Sequence, residues 1–434
     1  MFRRLVAFLL PFAPAFVAAA QYCSLKPPSD ATGVSRGIGK AGDGETADVI
    51  ASAWYPGWLA ADFPPSSIPW DRYNAMTFAF ATTTSDPSTL QLDDISQDAL
   101  PEFVAQAKNN SVTALLSIGG WTGSLFFSPA VATAANRTAF VNAILGMVSK
   151  YNLDGIDFDW EYPGKQGIGC NRIDPADSAN FLTCLQELRA TQVGKDLVLT
   201  AAVGLSPFIG QDGAPMSDVA AFATVLDRIA IMNYDVWGSW SSSVGPNAPL
   251  DDSCAPEQAG SAVSAVKAWT TANFPASKIT LGLAAYGHSF KVAPRSALVG
   301  NKLALYPPFQ AAQPAGNLDL PADSGATDPC GNPEGVSGIF TFSGLVEGGF
   351  LTDNGTAATG IDYLFDTCSQ TPFVYNENSQ VMVSYDDAAS FAAKGKFIND
   401  QGLAGFSVWD VTGDKNDILL NALHESMGIE SVCE

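Results

Sequence analysis

A chain of 434 residues is long for one domain, although α/β barrels with insertions reach that size as a single unit. Its 44 acidic side chains against 22 Lys and Arg leave a formal charge of -22, which argues against nucleic acid and anionic membrane surfaces as partners and favours neutral ligands. Seven cysteines without a CxxC pair, and only two histidines, argue against a zinc site and thiol–histidine chemistry, so neither metal nor cofactor is expected.

Residues 1–20 carry Arg3 and Arg4, then an apolar run, then Ala18-Ala19-Ala20, the pattern of a secretory signal cleaved before Gln21. A membrane anchor would need about 20 apolar residues, and this run is shorter and contains two prolines. The mature chain is therefore expected to be secreted, soluble and monomeric. In an oxidising compartment the cysteines would form up to three disulfides with one thiol left over, in a pairing the sequence leaves open. Asn109, Asn136 and Asn354 each head a glycosylation sequon.

Beyond a Pro- and Gly-containing lead, β-like segments recur at 49–54, 75–80, 112–118, 155–160, 197–203, 228–233, 279–285 and 403–409. Amphipathic stretches at 100–109, 136–151, 178–191, 256–273 and 386–401 read as helices between them. Strand alternating with helix implies parallel strands buried on both faces, and eight such units predict a (β/α)8 TIM barrel. The rhythm breaks after the seventh strand. Residues 290–381 are rich in Gly, Pro and Asp, with short β-like pieces at 338–342, 363–365 and 373–375, and predict a small α+β insertion between strand 7 and strand 8. Residues 21–289 and 382–434 would then form the catalytic barrel.

The fourth strand carries the chemistry. In Asp157-Phe158-Asp159-Trp160-Glu161 the alternation of side chains places three carboxyls on one face and the apolar residues on the other. Glu161 falls at the C-terminal end of a barrel strand, where barrel enzymes keep their active sites. Like charges this close resist joint ionisation, so at least one proton is retained near neutral pH, which is what a general acid requires. An acidic strand end could also be merely solvated. A calcium loop would need glycine and oxygen ligands on a turn.

The segment from Asp154 to Glu161 resembles the DGxDxDWE signature of family 18 chitinases, and the likeness extends over nearly all of the mature chain. Ser117-Ile118-Gly119-Gly120-Trp121 is similar to that family's SxGG motif at the end of the third strand, and Met232-Asn233-Tyr234-Asp235 to its MxYD motif at the end of the sixth. Tyr286-Gly287 and Trp409 stand at the ends of the seventh and eighth. The resemblance implies that Glu161 is the general acid/base, and that the nucleophile is the carbonyl oxygen of the substrate's own N-acetyl group, an exception to the two-carboxylate rule. It further implies that Asp159 holds the acetamido N–H, that Asp157 shares a proton with Asp159, and that Tyr234 and Asp235 complete the pocket. Substrate-binding candidates are Trp409, Trp121, Gly120, Met232, Tyr55, Tyr286 and Trp237, with Trp54, Trp58 and Trp240 as weaker ones, since indoles stack on neutral sugar rings. The two glycines are expected to clear space for the sugar, and Ser117 to reach Asp157. His288 stands where many members of the family have Arg.

The implied substrate is chitin and its oligosaccharides. An endo-β-N-acetylglucosaminidase acting on N-glycans would use the same ladder, and a non-catalytic chitin-binding lectin would lack one of its carboxyls. The aromatic strand ends and the insertion favour linear chitin.

Overall fold

A computed structural model describes residues 23–26, 49–320 and 324–433. The secretory segment lies outside these residues. Seven parallel strands follow in chain order: β1 (Ile50–Pro56), β2 (Ala75–Thr83), β3 (Thr113–Gly119), β4 (Gly155–Asp159), β5 (Val198–Val203), β6 (Arg228–Ile231) and β7 (Ile279–Ala284). After them come β8 (Tyr286–Lys291), β9 (Ile339–Thr341), β10 (Asp362–Asp366), β11 (Thr371–Asn376) and β12 (Val381–Ser384), and last β13 (Gly405–Trp409). Strand β1 pairs in parallel with both β2 and β13, which closes β1–β7 and β13 into an eight-stranded barrel. All eight expected strands form. They read as apolar runs because both of their faces are largely buried.

The surrounding helices include α1 (Asp94–Asn109), α2 (Ala134–Tyr151), α3 (Asp177–Arg189), α4 (Ala262–Thr271), α5 (Ala388–Asp400) and α6 (Ile418–Met427). Their starts are set by caps legible in the sequence. Asp93 accepts from the Ser96 amide at 2.9 Å, and Asp387 from the Ser390 amide at 2.9 Å, the latter within a reciprocal capping box. Helix α4 begins at Ala262, later than the expected 256, because Ser261 supplies its cap and the preceding residues form a loop.

Strands β8–β12 form a separate antiparallel sheet in the order β9-β8-β12-β11-β10, with its own apolar cluster around Phe290, Phe373, Tyr375 and Met382. This sheet starts at Tyr286 and ends at Ser384, outside the expected 290–381 span, because β8 follows β7 after one residue and pairs with β12. Two disulfides tie it to the barrel: Cys170–Cys330 from the loop after β4, and Cys254–Cys368 from the loop after β6. Cys184 on α3 is a buried free thiol. Short strands Cys23–Lys26 and Glu430–Cys433 pair with Cys23 opposite Cys433. Among the sequon residues Asn109 and Asn354 are exposed, whereas the Asn136 amide donates to the Pro129 carbonyl at 2.8 Å.

Candidate active site

The carboxylate ladder climbs the barrel axis along β4. At the bottom, Asp157 is 1 % exposed and meets donors from three other strands. Trp54 Nε1 and Ser117 Oγ donate to its Oδ2 at 3.1 and 2.8 Å, and Thr200 Oγ1 donates to its Oδ1. Asp159, one step up, is also buried, and its Oδ1 has no hydrogen-bond partner. Burial first, then the neighbouring Glu161 and Asp157 charges, push its carboxyl well above the ordinary range. Glu161 tops the ladder, pushed up to about 8 by burial and then by Asp235, with a hydrogen bond from Tyr162 opposing the shift. Two stacked carboxyls thus favour their protonated forms near neutral pH, as a general acid needs.

The backbone of Glu161 is pinned by two residues that no motif marked. Its amide donates to Ser124 Oγ at 3.1 Å, and its carbonyl accepts from Asn171 Nδ2 at 2.7 Å. Both partners sit in loops, so only the tertiary fold brings them here. Three non-prolyl peptide bonds, Ala79–Phe80, Glu161–Tyr162 and Trp409–Asp410, are cis.

Above the ladder opens a cleft of about 1000 Å³, lined by Asp159, Glu161, Tyr162, Met232, Tyr234, Asp235, Trp121 and Trp409 among others. The expected residues from β3, β4, β6 and β13 therefore meet in one place. Phe80 and Trp58 join them: Phe80 stacks between Trp409 at 5.5 Å and Trp58 at 6.0 Å. Trp121 is 49 % and Trp58 42 % exposed, so both present open indole faces. Tyr286 lies behind the cleft wall, where its hydroxyl donates to Asp235 Oδ1 at 2.7 Å. His288 Nε2 is 2.7 Å from the same oxygen, so the residue that departs from the family pattern holds Asp235 from the side of the insertion. Asn247 completes the mount by accepting from the Asp235 amide at 2.9 Å and donating to the Tyr286 carbonyl at 3.0 Å.

Tyr55 and Trp237 are buried away from the cleft lining. Tyr55 points outward from β1, is fully buried against Phe78 and Phe103, and donates its hydroxyl to the Phe63 carbonyl. Its neighbour Trp54 points inward and reaches Asp157 instead, since successive side chains alternate. Trp237 is 2 % exposed and packs against Tyr306 beside Gly245, away from the cleft lining. Gly120 has φ +79°, and a Cβ there would meet the Phe80 ring at 2.8 Å. Trp240, 62 % exposed, packs edge-on against His288 outside the cleft lining. Thr200 was missed, although a polar residue at an inward position of an apolar strand was a usable signal.

The chain is similar to several known proteins. A chitinase-like effector of Moniliophthora roreri is 50 % identical over 88 % of this chain and 94 % of its own length. A chitinase-like effector of Moniliophthora perniciosa is 44 % identical over 98 % of both. A crystal structure of a chitinase from Rhizomucor miehei, 33 % identical, superposes with a TM-score of 0.77 over 86 % of this chain and 99 % of that one. Residues 53–414, which span the barrel from β1 to beyond β13 and so contain the whole ladder, match the glycosyl hydrolases family 18, and the chain belongs to that family among its chitinases.

Proposed function

We propose that this chitinase hydrolyses the β-1,4 linkages between N-acetylglucosamine units of chitin and its oligosaccharides with retention of configuration, by substrate-assisted catalysis. The observation that carries the reading is the complete ladder, with the Glu161 carboxyl held protonated to about 8 at the floor of an indole-lined cleft. Glu161 gives its proton to the glycosidic oxygen while the substrate's acetamido carbonyl oxygen attacks C1, so the C1–O bond breaks and an oxazolinium ion forms. Asp159 holds the acetamido N–H during this attack, and Tyr234 and Asp235 shape the pocket around it. Water then attacks C1 as the C1–O bond to the acetamido oxygen breaks, which frees the acetamido group, and the water loses its proton to the Glu161 carboxylate, which restores the acid and leaves the β anomer.

Trp409 and Trp121 serve as stacking platforms, joined by Phe80 and Trp58. Burial of Tyr55 and Trp237 withdraws them from this role. The barrel carries the reaction, and the inserted sheet, which runs from Tyr286 to Ser384, walls the cleft through the His288–Asp235 contact. Secretion as a monomer after loss of residues 1–20 belongs to the same proposal, and the two disulfides support it. Nucleic acid and membranes are not partners in this reading.

The name chitinase-like effector, borne by the two Moniliophthora relatives, favours a second reading in which chitin oligomers are bound and not cut. One experiment separates the two. Chitin oligomers are incubated with the protein and with Glu161→Gln, and NMR follows the new reducing ends. Turnover to the β anomer by the wild type, lowered about 10³-fold or more in the variant, supports hydrolysis. Binding without turnover by the wild type supports the second reading.

A further inference from the structure

Of the two disulfides among the described residues, Cys170–Cys330 ends one position short of Asn171, whose side chain donates to the Glu161 carbonyl at 2.7 Å. Residues 163–176, between β4 and α3, contain neither helix nor strand. The base of this loop is fixed by Asp177 Oδ2, which accepts from the Gly164 and Asp174 amides at 3.2 and 2.9 Å. Its outer part folds back onto the acid. A Cβ on Gly167 would meet the Glu161 carbonyl oxygen at 2.1 Å, so the two backbones lie in contact. The Gln166 side chain clasps Asn171, accepting from its amide at 3.0 Å and donating to its carbonyl at 3.2 Å. The Arg172 amide donates to the Leu125 carbonyl at 3.0 Å, and Leu125 follows Ser124, whose hydroxyl accepts from the Glu161 amide. Both residues that pin the Glu161 backbone are therefore joined through one short segment, and the bridge stands beside it.

We propose that Cys170 and Cys330 are positioning residues for the general acid: their bridge holds Asn171 and Arg172 against the Glu161 backbone, and its reduction by a dithiol lowers turnover while oligomers still bind. Without the bridge the segment is weakly held. Gly164, Gly167 and Gly169 give it wide backbone freedom. Asn171 Oδ1 is buried with no hydrogen-bond partner among the described residues, which offsets part of what the Nδ2 bond contributes. Cys170 is exposed, so a small thiol reaches it. In the reduction two electrons and two protons pass from the dithiol to the bridge, the S–S bond breaks, two thiols form and the reductant leaves as its own disulfide. The stacking residues Trp409, Trp121, Phe80 and Trp58 all lie outside 163–176, so the released segment takes no platform with it. Glu161 loses its fixed line to the glycosidic oxygen, and the loss falls on kcat.

The inference rests on the proposed reaction, so its test includes a measurement that needs no turnover. Amide hydrogen exchange over residues 161–174 is followed in the wild type with and without dithiothreitol, and in Cys170→Ser with Cys330→Ser. Exchange in that segment, the Arg172 amide included, is expected to rise in the reduced protein and in the double variant, while β1 to β3 stay protected. With chitin oligomers the double variant is expected to lose kcat by about 10- to 10²-fold, the upper end being the cost of a 1 Å misplacement, with KM little changed. Dithiothreitol should add nothing to that loss. It should impose the same loss on Cys254→Ser with Cys368→Ser, which keeps the bridge in question, and oxidised glutathione should restore turnover there. Unchanged exchange over 161–174 in reduced wild type overturns the proposal, even if the double variant does not fold. A loss that falls on KM, or a folded double variant with native kcat, overturns it as well. A wild type that cleaves no oligomer sinks the reading of function, while exchange still decides whether the bridge holds the segment behind Glu161.

Discussion

Glu161 ties catalysis to pH with a definite sign. Its carboxyl sits near 8 in the folded protein against an ordinary 4.5, so between those values the folded state binds more protons than the unfolded one. Stability contributed through this group is therefore fully present below about 4.5 and is lost as pH rises through about 8. Chemical denaturation of wild type and Glu161→Gln across that window is expected to show a falling stability for the wild type and a flatter curve for the variant. Equal slopes would mean that the Glu161 carboxyl is not raised. The same proton sets the basic limb of kcat/KM for the free enzyme, which should bend downward near pH 8.

At the scale of elements, the ladder depends on how closely β3 approaches β4. Gly119 has φ +114°, and a Cβ there would meet the Asp159 carbonyl oxygen at 2.1 Å, so Gly119→Ala must push the strands apart just below Glu161. The expected result is a loss of kcat of about 10²-fold, the scale of a 1 Å misplacement of a catalytic group, and a native-like activity would refute this placement. Helix α5 offers a contrast, because it lies remote from the chemistry. Asp387 caps it and also accepts from the Tyr363 hydroxyl at 2.9 Å. Asp387→Ala should lower stability by about 1 to 2 kcal/mol in urea unfolding while leaving turnover of the folded fraction intact.

The whole molecule is a barrel with an antiparallel sheet pinned across its mouth by two disulfides and by the His288–Asp235–Tyr286 contact. Cys254–Cys368 spans 114 residues, and a loop that long gives a bridge worth about 5 kcal/mol in the chain-entropy account. Cys254→Ser with Cys368→Ser should lower the unfolding free energy by that order, and the unfolding midpoint with it. Because Asp235 is held from the insertion side, the same variant should raise KM for long oligomers more than for short ones. An unchanged midpoint would show that the insertion stands without this bridge.

Much of this was legible in the residues because it is local. Strand periodicity, capping residues and the alternation of Asp157, Asp159 and Glu161 along β4 are properties of a few consecutive positions, and so is the match of four strand-end motifs. What the sequence by itself determined was therefore the barrel, the ladder and the order of the motifs around it. Phase and long-range proximity are different in kind. Whether Trp54 or Tyr55 faces the barrel axis turns on a one-residue shift that inverts every side chain of β1, and both readings were apolar enough to be buried. The partners that hold the site, Ser124 and Asn171 at the Glu161 backbone, Thr200 at Asp157, and His288 on Asp235, come from separate loops and strands. Only the closed barrel and its inserted sheet decide those meetings, because a hydrogen bond needs two groups within about 3 Å and no local pattern encodes that distance.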